Sequence, residues 1–196
     1  MKKNLKISIN SPVILGYVFI CAAALLLSRL THGFTNDLLF CTYRSQLTDP
    51  LTYVRAVGYI FGHVSWQHFM NNMALLLVTG PMLEEKYGSQ NLIVVILITA
   101  LTASLVNAVF FPGTAIIGAS GVVYCFILLS SFGSAKEGTL PLTFILAALI
   151  YIGGQIIDSF LIGGDISYMG HIAGAVVGSF LGYVMAQGKV GWFRRP

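Results

Sequence analysis

Apolar residues gather along the chain into long runs, separated by short segments rich in Gly, Ser, Thr and charge. The runs fall at approximately 12–29, 67–83, 91–110, 119–134, 141–161 and 168–187. A helix needs about 20 apolar residues to cross a hydrocarbon core of about 30 Å, so these runs predict six membrane-spanning helices. The fourth run is short: between Ser120 and Ser134 a helix rises about 21 Å, less than the core's thickness. With its far end at one surface, Ser120 lies about 10 Å beneath the other. The preceding "FPGTAIIGA" then enters the membrane as non-helical backbone, which is tolerated only inside protein or beside a wet cavity. The pattern therefore predicts a water-accessible pocket with Ser120 at its floor and at a helix N-terminus.

Composition agrees with a membrane class. Of the 196 residues, 56% are hydrophobic and 9% charged, far below the roughly 25% charged residues of soluble domains. The apolar stretch in "MKKNLKISINSPVILGYVFICAAALLLSRL" is longer than a signal-peptide core and no A-x-A cleavage site follows, so it is read as a retained first span. The net charge of +4 is unevenly spread. With the N-terminus inside, inner segments hold Lys2, Lys3, Lys6, Lys86, Lys136, Lys189, Arg194 and Arg195, and outer ones hold Arg29, Arg44 and Arg55. The positive-inside rule places both termini in the cytoplasm, and the second, fourth and sixth spans then begin at the outer face. No basic stripe is interleaved with aromatics, which argues against nucleic acid as a partner. Cys21, Cys41 and Cys125 have no metal-like spacing and are given no disulfide or redox role.

Polar residues inside spans are costly and are functional candidates by default. Ser120 stands between Gly118 and Gly121, which let the backbone turn and a substrate approach; the alternative reading of "GASG" is a small-residue packing patch. His171 opens the sixth run, and His68 opens the second with Asn72 one helical turn on. Three spans thus bring Ser, His and His/Asn to one leaflet. Ser120 is the candidate nucleophile, with His171 as general base and then acid. His68, Asn72 and the Ser120 backbone N–H are candidate oxyanion donors, each worth about 3 kcal/mol. No carboxylate lies beside His171 in sequence, Asp165 being nearest, so these residues give a dyad. Tyr124 can pack its ring on His171. Gly170, Gly174, Gly178 and Gly182 form a small-residue stripe that brings the sixth helix up to the fourth. His63 is placed in the outer loop or at the helix start, with orienting that loop as its candidate role, and His32 reads as exposed. His63 and His68 are wrongly spaced for the i, i+4 pair of a helical metal site, and no metal or other cofactor is expected.

These marks, "HxxxN" from His68 to Asn72, "GxSG" from Gly118 to Gly121 and "HxxG" from His171 to Gly174, resemble the rhomboid family of intramembrane serine proteases. "EEKYGS" after the second run is also similar, with Glu84 a structural residue at the cytoplasmic end. The resemblance implies an all-α, six-helix rhomboid-type bundle with a short, recessed fourth helix and a Ser120–His171 dyad in a cavity open to the outside. It implies cleavage of single-pass membrane proteins in or near their transmembrane segment, at the extracytoplasmic side of a bacterial plasma membrane. The fifth span would gate substrate access, and the long first loop would sit partly in the outer leaflet. The family's loop commonly carries Trp-Arg where this chain has Val54-Arg55. Competing expectations are a non-catalytic relative that binds membrane clients, a small channel or transporter, and a membrane transpeptidase using the same serine.

Overall fold

The computed structural model describes residues 8–133, 135–136, 138–161 and 168–186. Lys2, Lys3, Lys6, Asp165, Lys189, Arg194 and Arg195 lie outside them. The described residues are helical, without strands, in seven α-helices: α1 (Pro12–Leu30), α2 (Pro50–Gly58), α3 (Trp66–Tyr87), α4 (Ser89–Phe110), α5 (Ser120–Ser130), α6 (Leu142–Leu161) and α7 (Tyr168–Ala186). By length and composition, α1 and α4 are apolar enough to cross a membrane, with mean hydropathies of 2.2 and 2.5. The fourth apolar run forms a shorter helix than its extent of 119–134 implied. Its regular hydrogen bonding ends at Ser130, where the Ser130 and Ser131 hydroxyls turn back to the carbonyls of Ile127 and Leu128.

The central helix is α5. Val122, Val123, Cys125, Phe126, Leu128 and Leu129 are all buried, so it meets protein on every side, as a helix apolar all round should. The surrounding helices instead turn large apolar residues outward, among them Phe19, Val78, Leu105, Leu149 and Phe180. Such a continuous apolar exterior suits lipid rather than water.

The glycine stripe of α7 runs along α5. A Cβ on Gly174 would collide with the Gly121 carbonyl, one on Gly178 with the Cys125 backbone, and one on Gly182 with the Phe132 ring. Because the side chains are missing, the two backbones approach as closely as small-residue seams allow.

Glu84 secures the bundle end remote from Ser120. Ser11 gives α1 no side-chain cap. The buried Glu84 carboxylate accepts instead from the N–H groups of Val13 and Ile14, each at 3.1 Å, and from the Ser89 hydroxyl at 2.7 Å. It thereby satisfies orphan donors and meets the positive end of the helix dipole. Lys86 donates to the carbonyls of Phe132 and Gly133, just beyond the C-terminus of α5.

The non-helical approach to α5 is held by the first loop. Thr42 and Ile116 exchange backbone hydrogen bonds of 3.0 and 2.9 Å, and the Gly118 N–H donates to the Tyr59 carbonyl at 2.9 Å. Asn107 and Thr114 close the turn after α4. These bonds answer the requirement that irregular backbone in a bundle find partners within protein. The first loop is itself pinned by Arg55, which is buried, lies over the Tyr43 ring and pairs with Asp49 at 2.6 Å. Arg55 thus anchors the loop with valine, not tryptophan, before it.

Candidate active site

Ser120 is the first residue of α5, and Ala119 before it supplies no side-chain cap. Free N–H groups of that helix start therefore sit beside the Ser120 hydroxyl. Gly118 makes the turn possible in two ways. Its φ of 126° suits glycine, and a Cβ there would lie 2.6 Å from Cε1 of His68.

His171 enters from the first turn of α7, brought up by the glycine seam. Its Nε2 lies 2.7 Å from the Ser120 Oγ. The Tyr124 ring stacks on its imidazole, with centroids 4.6 Å apart and planes 5° from parallel. Tyr151 of α6 then meets Tyr124 edge-on at 5.4 Å. The Nδ1 edge of His171 meets a residue that the sequence reading did not identify. Its Nδ1 is 2.5 Å from Oε1 of Gln155 on α6, so the third group at this histidine is an amide rather than a carboxylate. One signal was available: Gln155 is a polar residue within an apolar run, one turn after Tyr151.

His68 and Asn72 come to the Ser120 end from α3. The Gly118 Cβ position lies 2.8 Å from His68 Nε2 and 3.8 Å from Asn72 Nδ2, so both side chains face the turn that delivers Ser120. Asn72 is oriented by His63, which is fully buried. The Phe61 carbonyl lies 3.2 Å from His63 Nδ1 and can only accept, so Nδ1 carries the proton. The unprotonated His63 Nε2 then accepts from Asn72 Nδ2 at 3.1 Å. His63 therefore fixes an amide of the site as well as the loop it belongs to, and Asn36 donates to its carbonyl at 3.2 Å. His32 is exposed, as its loop position suggested.

The pocket at Ser120 is small. Tyr59, Ile116, Ile117, Gly118, Gly121 and Gly170 enclose about 20 Å³ beside the serine, room for roughly one water. A larger cavity of about 480 Å³ adjoins it across Ile117, lined by Arg29, Asn36 and Asp37 among others. Among the described residues, no group of three or more His, Cys, Asp or Glu side chains is arranged to hold a metal ion.

Fold and site together define a class of helical membrane proteins with a serine–histidine pair at the start of a buried helix. A Rhomboid domain matches residues 50–188, and the chain belongs to the Rhomboid family. It is 26% identical over 157 residues to rhomboid protease GlpG of Haemophilus influenzae, covering 78% of this chain and 80% of that one. GlpG of Salmonella paratyphi A is 32% identical over 134 residues, 66% of this chain and 48% of its own. Rhomboid-related protein 2 of Mus musculus is 27% identical over 163 residues, 71% of this chain. The chain spans 53% of the mouse protein's length and 39% of the length of a Caenorhabditis elegans relative, rhomboid-related protein 1.

Proposed function

We propose that this chain is an intramembrane serine endopeptidase in which Ser120 is the nucleophile and His171 the general base. The observation that carries this reading is the 2.7 Å approach of His171 Nε2 to Ser120 Oγ at the N-terminus of a buried helix. In the reaction, His171 Nε2 takes the hydroxyl proton as Oγ attacks a peptide carbonyl carbon. The carbonyl oxygen becomes an oxyanion, stabilised by the Ser120 N–H, the helix dipole and the side chains of His68 and Asn72. Collapse of this intermediate breaks the C–N bond, and the leaving amine takes the proton from His171. A water deprotonated by the same histidine then attacks the acyl carbon, the C–Oγ bond breaks, and His171 returns the proton to Ser120 Oγ.

The substrates in this reading are single-pass membrane proteins cut in or near their transmembrane segment. The chain crosses the bilayer six times with both termini cytoplasmic, and the site opens to the extracytoplasmic side of a bacterial plasma membrane. Support comes from the apolar exterior and from the lysines at the Glu84 end of the bundle.

A fluorophosphonate probe, which reacts with activated serines and needs no known substrate, tests the reading on purified protein in detergent. Wild type is expected to label, and Ser120→Ala and His171→Ala to lose labelling while staying folded. Folded wild type that does not label would overturn the reading in favour of a client-binding relative. Product analysis with added amines separates hydrolysis from transpeptidation.

A further inference from the structure

Resting on that reading, we infer that Gln155 of α6 is a positioning residue for the base: it fixes the His171 tautomer and makes a competent Ser120–His171 pair depend on the seating of α6.

A histidine that deprotonates a serine must present a lone pair at the nitrogen facing the hydroxyl, and its proton must then sit on the other nitrogen. In this structure Nε2 faces Ser120 at 2.7 Å and Nδ1 faces Gln155 Oε1 at 2.5 Å. An amide oxygen only accepts, so the Nδ1–H donates to it and Nε2 keeps its lone pair for the Ser120 proton. The opposite amide orientation would present N–H groups to Nδ1, move the ring proton to Nε2 and leave the serine without a base.

Gln155 is buried, and its bond forms where bulk water does not compete for the amide. Two residues one turn apart on α6 converge on the same group. Gln155 bonds the imidazole, and Tyr151 packs edge-on against Tyr124, the ring stacked on that imidazole. Among the described residues, Ser120 and Tyr124 from α5 and Gln155 from α6 meet His171, and His68 of α3 acts on it electrostatically. No carboxylate among them takes the orienting part, and the amide is the acceptor present.

An amide in this position also differs chemically from a carboxylate. It orients the imidazole without adding a negative charge, so the imidazolium formed during the reaction is stabilised less than in a serine–histidine–aspartate arrangement.

The test measures second-order fluorophosphonate labelling rates of Ser120 against pH for wild type, Gln155→Leu and Gln155→Glu, with folding checked by circular dichroism and thermal melting. Gln155→Leu removes the acceptor at similar size, and labelling is expected to slow by about 10- to 100-fold. Gln155→Glu keeps an acceptor at the same reach and cannot offer the amide N–H. It is expected to recover at least tenfold of that loss. Its carboxylate stabilises the imidazolium, so the acidic limb of its rate profile moves to higher pH. Folded Gln155→Leu that labels like wild type would overturn the proposal. So would Gln155→Glu no faster than Gln155→Leu, which would reduce Gln155 to a packing residue. If Gln155→Leu does not fold, the wild-type and Gln155→Glu profiles decide: superimposable limbs overturn the proposal and an upward move supports it. Failure of wild type to label is a separate result, which removes the protease reading itself.

Discussion

The helix that carries His171 and the helix that brings Gln155 to it are held in different ways. The first, α7, is fastened to α5 backbone to backbone: Gly174 and Gly178 leave no room for even a Cβ between the chains. By contrast, α6 reaches the site through two side chains, Tyr151 and Gln155, and its other faces present Leu146, Leu149, Ile150 and Ile157 to the surroundings. A glycine seam has no rotamers to rearrange, so α7 sets where His171 stands. Phe144 of α6 also packs on Phe132, so α6 is held to its neighbours by side chains, which can change rotamer where a glycine seam cannot.

The largest way to break this contrast is at the seam. Gly174→Val would drive a branched side chain into the Gly121 carbonyl, separating α7 from α5 with loss of about 3 kcal/mol or more. A lowered melting temperature and absent labelling should appear together. Retained labelling would show that the seam does not set the site. Next is the cap at the opposite end: Glu84→Ala leaves two α1 N–H groups and the Ser89 hydroxyl without their acceptor, and should cost about 2 kcal/mol in a melting experiment. Labelling of the folded fraction should be unchanged, because Glu84 touches none of the reacting groups.

The contrast is sharpened on the α6 side by Tyr124→Leu, which removes the ring between His171 and Tyr151. Its labelling should fall about 3- to 10-fold with little change in melting temperature. A change as large as that of Gly174→Val would mean that α6 is as firmly built in as α7.

The smallest effect lies in the first loop. The Leu51 N–H, and after it Arg55, hold the Asp49 carboxyl below its usual range. A group depressed in the folded state stabilises above its unfolded pKa, and that contribution disappears as pH falls through the folded value. Asp49→Asn should therefore lower the melting temperature by about a degree or two near neutral pH. The difference from wild type should close on acidification below the ordinary aspartate range. A difference that persists in acid would assign the effect to packing around Arg55.

Much of the site could be read without coordinates because its parts are chemically out of place. Ser120, His68, Asn72 and His171 each stand where a membrane helix should carry an apolar residue, and the four-residue spacing of Gly170 to Gly182 marks one helix face whatever that face meets. The short fourth run likewise marked α5 as a short helix, although its end at Ser130 depended on local serine hydroxyls.

The sequence by itself determined the apolar runs, the helices they form, the glycine stripe and the residue types available for chemistry, because these follow from local periodicity and from the cost of polar atoms in lipid. Only the tertiary structure decided which groups meet. That Gln155 faces His171, that His63 holds Asn72 and that Glu84 caps α1 all depend on how far each helix is rotated and slid against its neighbours. A helix such as α5, apolar on every side, carries no mark of which side faces which partner. Close packing against α7, α6 and α3 fixes that rotation, and with it which amide faces His171.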